Sequence, residues 1–173
     1  MYADFKHSSS ISGGLYLDII FPKYKKRWSS HNELMYSSFN INGTSIQNIT
    51  SGIYTTTNSN FNYSYLKVNT LVRYKIINKT YSLFINAGLS NGFELKGKNY
   101  AKSFENMYGS INTTEGEPLT DTKNLEQSIL LGIGTTFKKY SLELRSEFGN
   151  GMGINTGTIT NVTRYSCLLY YKL

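Results

Sequence analysis

The sequence contains no long apolar run, only two prolines and a single cysteine. Its longest uninterrupted apolar stretches, such as residues 167–171, fall far short of the roughly 20 residues that a transmembrane helix requires, so a helical span is excluded. Cys167 has no partner for an internal disulfide, and its apolar surroundings predict a small hydrophobic side chain rather than a nucleophile. His7 and His31 are the only histidines, and no glycine-rich loop precedes a helix. The sequence therefore predicts no metal and no cofactor.

The strongest pattern present is an alternation of apolar and polar residues. In residues 140–148, tyrosine, leucine and phenylalanine alternate with serine, glutamate and arginine, which gives an extended segment one apolar and one ionic face. Residues 81–89 and 129–137 repeat this period of two, with small or polar residues on the second face. Tyrosine and phenylalanine occur 15 and 9 times, and aromatic residues favour strands over helices. The pattern predicts an all-β protein.

Seven strands follow from this alternation, each long enough for the roughly 9 residues that a tilted strand needs to cross a bilayer. They comprise residues 11–21, 28–41, 61–76, 80–95, 127–137, 140–148 and 158–173. The connections alternate between short ones (22–27, 77–79, 138–139) and longer ones (42–60, 96–126, 149–157). This asymmetry is typical of outer-membrane barrels, whose turns face the periplasm and whose loops face outward. We predict a single domain over residues 1–173, an antiparallel up-and-down transmembrane β-barrel with irregular loops at 42–60 and 96–126.

The strand directions bear on the number of strands. If the last strand ends on the periplasmic side, the strand near Ile11 begins on the outer side, and an earlier strand is expected to precede it. Single-chain bacterial barrels have an even number of strands, and an unpaired edge within lipid is costly. We expect a barrel of the eight-stranded type whose first strand is largely missing from residues 1–10, together with its export signal, because of a misplaced start or a trimmed chain.

Charged residues occur on the small and polar face of the predicted strands. A narrow barrel places that face inside, where charges are costly unless they are paired. We predict a lumen charge network that fills the interior and leaves no open pore, formed by Asp18, Glu33, Lys67, Arg73, Glu143, Arg145, Glu147 and Arg164. Tyrosines near the strand ends, such as Tyr36, Tyr140 and Tyr170, are expected to join an aromatic belt where they face outward.

The formal net charge of +7 raises the question of a nucleic-acid partner. The predicted topology instead gathers many cationic residues at one rim of the barrel. They are Lys23, Lys25, Lys26, Arg27, Lys75, Lys79, Lys138, Lys139 and Lys172. Aromatic and basic residues are not interleaved there as base stacking requires, so we predict no nucleic-acid binding. The rim is expected to contact anionic lipid headgroups or a periplasmic partner.

Alternation by itself does not distinguish the inside of a barrel from the outside. A soluble lipocalin-like barrel would turn its apolar face inward around a ligand and its polar face to water. That barrel is the alternative from a different functional class. The long strands, the basic rim and the asymmetric connections favour the membrane barrel.

Parts of the chain resemble a known family. The resemblance lies in residues 14–18 (GLYLD) with 28–37 (WSSHNELMYS), and in residues 65–75 (YLKVNTLVRYK) with 84–88 (FINAG). These segments resemble outer membrane β-barrel proteins of the Bacteroidetes type, which include PorT-like proteins. The resemblance implies an eight-stranded barrel in the outer membrane of a Gram-negative bacterium. By family analogy, it also implies an alternative role as accessory subunit of a larger secretion or uptake complex.

Ser29, His31 and Glu33 are the residue types of a hydrolytic triad and alternate onto one face of a predicted strand. Residues two apart on a strand are about 7 Å from each other, which is too far for direct hydrogen bonds. We therefore predict no catalytic residues and no enzyme, with lipid hydrolysis as the least favoured alternative. The predicted function is that of an integral outer-membrane barrel with a structural or interaction role through its long outer loops.

Overall fold

The computed structural model describes residues 2–5, 10–50, 53–107, 110–116, 125–150 and 162–172. Within these ranges the chain forms a nine-stranded sheet in which each pair of neighbouring strands is antiparallel. The strands are β1 (Tyr2–Phe5), β2 (Ser10–Ile20), β3 (Trp28–Thr50), β4 (Ile53–Asn78), β5 (Tyr81–Met107), β6 (Ser110–Gly116), β7 (Leu125–Phe137), β8 (Tyr140–Gly149) and β9 (Val162–Tyr171). None of the helical structure in the described ranges is long and apolar enough to cross a membrane. The prediction of an all-β antiparallel fold is confirmed.

The strands occupy seven positions across the sheet, in the order β2, β3, β4, β5, β7, β8 and β9. β1 lies beside β3 beyond the end of β2, and β6 lies beside β5 beyond the end of β7. The expected count of eight is therefore not seen in the described residues. Residues 1–10 were expected to contain the remnant of a strand preceding β2, whereas Tyr2–Phe5 pairs with Gly43–Ile46 of β3. Among the described residues, no ladder joins β2 to β9.

The sheet curls into a half-barrel whose inward face encloses a narrow lumen. Side chains from distant strands meet across this lumen. Arg145 of β8 contacts Glu33 of β3, and the ring centroid of Tyr170 of β9 lies 5.4 Å from that of Tyr16 of β2. Because these contacts join one side of the sheet to the other, the inward face has little room for solvent.

Three strands are much longer than the sequence predicted. β3, β4 and β5 contain 23, 26 and 27 residues, whereas β8 and β9 contain 10 each. At about 3.3 Å per residue, the long strands project roughly 40 Å past the ends of the short ones. We call this projecting part, residues 40–50, 53–62 and 96–107 with β1 and β6, the extension. The predicted loop at 42–60 was wrong. The one at 96–126 was wrong for 96–107, 110–116 and 125–126, and residues 108–109 and 117–124 lie outside the described residues.

The extension was missed because its outward face is polar. Beyond the part of the strand that faces lipid there is no requirement for apolar side chains, so the alternation that marks a strand disappears while the backbone ladder continues. Cross-strand hydrogen bonds then stabilise the pairing. Asn60 Nδ2 donates to Asn42 Oδ1 at 2.6 Å, and Thr44 Oγ1 donates to Asn58 Oδ1 at 2.9 Å.

Small residues on the inward face allow the sheet to curl tightly. A Cβ atom added to Gly134 of β7 would lie 2.4 Å from Cζ of Phe84 and 2.6 Å from the carbonyl oxygen of Leu142. Even an alanine side chain is therefore too large for this position. A Cβ on Gly13 of β2 would meet no atom within 4 Å.

This contrast predicts different effects for the same substitution at two positions. Gly134→Ala is expected to lower the free energy of unfolding by about 1 to 3 kcal/mol, because the ring of Phe84 and the β8 backbone must move. Gly13→Ala is the matched control and is expected to change it by less than about 0.5 kcal/mol. Guanidinium unfolding in lipid vesicles measures both. Equal effects at both positions would show that the lumen is more loosely packed than the structure indicates.

Candidate functional site

The two faces of the sheet have opposite chemistry. On the outward face, Leu142 and Leu144 of β8 are 46% and 59% exposed, and Ile129 and Leu131 of β7 are similarly exposed. On the inward face, Glu143 is 0% exposed and Arg145 is 5% exposed. A lipocalin-like barrel requires the reverse arrangement, so the soluble alternative is wrong.

Arg145 is the centre of the inward charge cluster. Its Nη1 and Nη2 atoms donate to the two carboxylate oxygens of Glu33 at 2.7 and 2.8 Å, and its Nε donates to Glu143 at 2.8 Å. Such paired donors match carboxylate geometry and give strong charge-assisted bonds. Tyr170 adds its hydroxyl group, which donates to Glu33 at 2.8 Å. Arg145 thereby ties β8 to β3 across the lumen and β9 to both.

His31 lies between two carboxylates in the same cluster. Its Nδ1 is 2.6 Å from Asp18 and its Nε2 is 2.8 Å from Glu33. Because a carboxylate only accepts hydrogen bonds, both contacts are satisfied when each ring nitrogen carries a proton, which makes the ring an imidazolium cation. With both nitrogens committed, neither is left to accept a proton from Ser29. The expectation that residues two apart on a strand cannot hydrogen-bond directly was wrong, because the long side chains of His31 and Glu33 meet at 2.8 Å. His31 still has no ring nitrogen available to act as a base for Ser29, as a triad requires.

Arg73 of β4 is a further cation of the cluster, on the side of the short turns of the barrel. It lies 3.5 Å from Asp18 and 3.5 Å from Glu143, while its Nε donates to Asn86 at 3.0 Å. The guanidinium carbon sits 4.1 Å from the centre of the Phe84 ring, so the cation also has a cation–π contact. Each carboxylate of this cluster therefore faces at least one cation.

A second group of charges lies closer to the extension. Lys67 donates to Glu147 at 2.6 Å, and Arg164 of β9 contacts Glu147 at 3.1 Å and also Glu126 of β7. Next to it is an aromatic cluster of Phe39, Tyr63 and Tyr65, in which the centroids of Phe39 and Tyr65 are 5.8 Å apart with nearly parallel rings. The Arg164 guanidinium lies over Phe39 at 4.6 Å. Two ionic layers and one aromatic layer thus fill the lumen in succession.

A family model described as an outer membrane protein beta-barrel domain matches residues 2–155, which is most of the chain. The chain belongs to the outer membrane protein beta-barrel domain family. Searches of curated proteins and of solved structures found no match. As a member of this family, the protein is integral to the outer membrane, and the bilayer is its partner. Its exposed outward leucines and isoleucines are the side chains that contact lipid.

All the side chains predicted for the lumen of this outer-membrane barrel lie on its inward face. The ion pairs join them into two groups, one around Arg145 and one around Glu147, and we call the two groups together the lumen network. It consists of Asp18, Glu33, Lys67, Arg73, Glu143, Arg145, Glu147 and Arg164, together with His31 and Glu126.

Sequence reasoning missed part of the lumen network of the outer-membrane barrel. Glu126 was assigned to a loop, although it continues the inward alternation of Ser128 and Leu130 and is 2% exposed. Tyr170 was considered for the aromatic belt, although it shares a face with Arg164 and bonds Glu33. Extending the alternation of β7 and β9 to their ends identifies both residues.

The network neutralises itself and offers the barrel no evident metal site. In the described ranges, no three histidine, cysteine or acidic side chains are placed to hold a metal ion. A groove of about 910 Å³ lies on the outer wall, where Ile85, Leu131, Leu144 and Cys167 contribute to its lining. Because this groove faces outward and is mostly apolar, lipid chains occupy it in the membrane.

Proposed function

We propose that the protein is a non-enzymatic barrel with a closed lumen, and that its extension serves as an interaction surface outside the cell. The observation that carries the proposal is the contrast between the two halves of the molecule. The membrane half is filled by the lumen network, whereas the extension is a polar sheet that projects roughly 40 Å beyond the short strands.

The closed lumen argues against a role as a pore. Arg145 bridges β8 to Glu33 of β3, and Lys67 bridges β4 to Glu147 of β8, so both ion pairs cross the interior. Breaking a buried pair costs several kcal/mol, because it leaves an uncompensated charge. A solute that passes through the barrel would have to break both.

The extension has the chemistry of a recognition surface. Its outward face carries side-chain amides of Asn40, Asn42, Asn58, Asn60 and Asn62, each of which provides donors and acceptors. Beside them, exposed carboxylate and ammonium groups of Glu115 and Lys102 pair at 3.0 Å, and this hydrogen bond lowers the pKa of Glu115. Tyr100 is 48% exposed on the same face. A partner gains hydrogen bonds and an aromatic contact there, and the charges are already balanced.

The proposal predicts position-specific cross-linking. Benzoylphenylalanine introduced in place of Tyr100 is expected to give a discrete adduct with an external partner in native membranes after illumination. The same replacement at Tyr140 is the matched control, because Tyr140 is also well exposed but lies at the opposite end of the barrel, where the short turns are, which we call the turn end. Gel electrophoresis and mass spectrometry measure the adducts. The purified protein is expected to give no current in planar bilayers.

Different outcomes separate this role from the alternatives. No adduct at Tyr100, or the same adduct at both positions, would contradict an interaction role of the extension. A steady current would contradict the closed lumen. Migration of the native protein in a single large assembly that is bound through the turn end would favour the accessory-subunit role in a secretion or uptake complex.

We also infer that the protein is of the Bacteroidetes, PorT-like type. The support is the resemblance carried by residues 14–18, 28–37, 65–75 and 84–88, which fall in β2 to β5. The inference that it is not an enzyme is supported by His31, whose two ring nitrogens are committed to Asp18 and Glu33.

A further inference from the structure

The turn end of the barrel carries a dense group of exposed cationic side chains. We call them the basic rim: Lys23, Lys25, Lys26, Arg27, Lys79, Lys138, Lys139 and Lys172. Lys75, which was also predicted for this rim, is only partly exposed and is not included. The surrounding segments, residues 19–28, 74–82, 137–142 and 169–172, contain no aspartate or glutamate. The acidic residues that border these segments, Asp18 and Glu143, already pair with His31, Arg73 and Arg145 in the lumen. The charge of the rim is therefore not neutralised by acidic residues in the described part of the chain.

The backbone of the turns shows that lysine is not there for conformational reasons. Lys25, Lys26 and Lys138 have φ angles of 51°, 56° and 54°, and they are the non-glycine residues with positive φ in the described ranges. The left-handed region favours glycine and asparagine and is unfavourable for other side chains. All three strained positions nevertheless hold a lysine. The positive charge is the property that glycine or asparagine would not supply.

The contacts of the rim show where its charges lie. Arg27 Nη1 donates to the Tyr74 hydroxyl at 3.4 Å. The Nζ atom of Lys138 lies 5.3 Å from the centre of the Phe137 ring, and that of Lys139 lies 5.6 Å from the Tyr171 ring. Phe137 and Tyr171 are exposed on the outward face. Arg27, Lys138 and Lys139 therefore lie along the outer wall, beside outward-facing aromatic rings, and not below the lumen, where a periplasmic protein would dock.

We propose that the basic rim binds the phosphate groups of anionic phospholipids in the periplasmic leaflet. The turns of outer-membrane barrels face the periplasm, and aromatic belts sit at the level of the headgroups. Clustered lysine and arginine side chains at that level attract anionic headgroups. Outward-directed cations beside the belt fit lipid phosphates, which surround the barrel wall at that depth.

The test compares two lipids around the folded protein. Spin-labelled phosphatidylglycerol and spin-labelled phosphatidylcholine are introduced separately into phosphatidylcholine vesicles that contain the full chain, and electron paramagnetic resonance measures the immobilised fraction of each. The wild type is expected to prefer phosphatidylglycerol by about threefold or more at low salt, and less at roughly 0.5 M salt because the attraction is screened. Equal association of the two lipids at low salt would overturn the proposal.

Matched variants locate the effect. Lys25→Asn/Lys26→Asn/Lys138→Asn removes three charges, and asparagine tolerates the left-handed backbone, so the fold is retained. Its preference for phosphatidylglycerol is expected to fall below about twofold, since five cations of the rim remain. Lys96→Asn/Lys98→Asn/Lys102→Asn removes the same charge from the extension and is expected to keep the wild-type preference. Retention by the first variant, or an equal loss in the second, would contradict binding at the rim, and cooperative unfolding checks that both are folded.

Discussion

Replacing Arg145 by leucine is expected to lower the free energy of unfolding by about 3 to 5 kcal/mol. Arg145 donates to both oxygens of Glu33 and to Glu143, and all three side chains are buried. Without the guanidinium group, two carboxylates stay in the lumen with fewer cations to compensate them. Guanidinium unfolding in lipid vesicles, followed by fluorescence of Trp28, the single tryptophan, measures the change.

Two further variants make the interpretation specific. Lys102→Leu removes a cation from the exposed pair with Glu115, and it is expected to change the free energy of unfolding little because exposed ion pairs contribute little to stability. The double variant Glu33→Leu/Arg145→Leu is expected to recover part of the loss, since it removes both partners of the buried pair. If Arg145→Leu and Lys102→Leu were equally mild, the lumen network would not hold the barrel together.

The second large effect is expected at the lipid-facing surface. Replacing Leu144 by arginine is expected to lower the free energy of unfolding by about 2 to 4 kcal/mol. Leu144 lies on the outward face near the middle of β8 and is 59% exposed. A cation there faces hydrocarbon, and the penalty for arginine on the lipid face is largest at the bilayer midplane. The same vesicle assay measures it.

Asn58→Arg is the control for the lipid-facing substitution. Asn58 is also exposed on the outward face, but it belongs to the extension, where the surrounding side chains are amides and hydroxyls. An arginine there is expected to lower the free energy of unfolding by at most about 1 kcal/mol, the cost of losing the hydrogen bond from Thr44. A large cost at Asn58, or none at Leu144, would place the lipid boundary differently from the apolar outward face.

The membrane half of the fold could be predicted from the sequence because lipid imposes a strict pattern. Every second residue of β8, from Tyr140 to Phe148, must suit hydrocarbon or the interface, while Glu143 and Arg145 must find partners inside. The sequence of a single strand shows both the apolar outward face and the charged inward face. The short turns showed that successive strands run in opposite directions. They therefore also predicted that strands adjacent in the chain pair with each other.

The extension could not be predicted in the same way. Its outward side chains, such as Asn42, Thr44 and Asn58, are amides and hydroxyls that suit water, and the lumen network does not extend into it. Polar residues on both faces look like a loop in the sequence, whereas cross-strand pairing decides the structure. Pairing is a property of two segments together. Neither segment shows it alone.

The role of His31 was also hidden from the sequence. Its partners Asp18 and Glu33 lie on β2 and β3, and Asp18 and His31 are direct cross-strand neighbours. The register of the β2–β3 hairpin therefore decides the arrangement, and a shift of one residue would have turned Asp18 to the opposite face. The sequence supplied the residue types of the cluster, and the turn at Pro22–Tyr24 supplied its geometry.

The odd number of positions across the sheet fixes the direction of the two strands at its margins, β2 and β9, which pair on one side only within the described residues. Because successive strands reverse direction, the first and the seventh, β2 and β9, both descend toward the periplasm. An antiparallel ladder between them is thus geometrically forbidden. Any segment that hydrogen-bonds to both margins in antiparallel fashion must ascend, from the periplasmic face to the cell exterior.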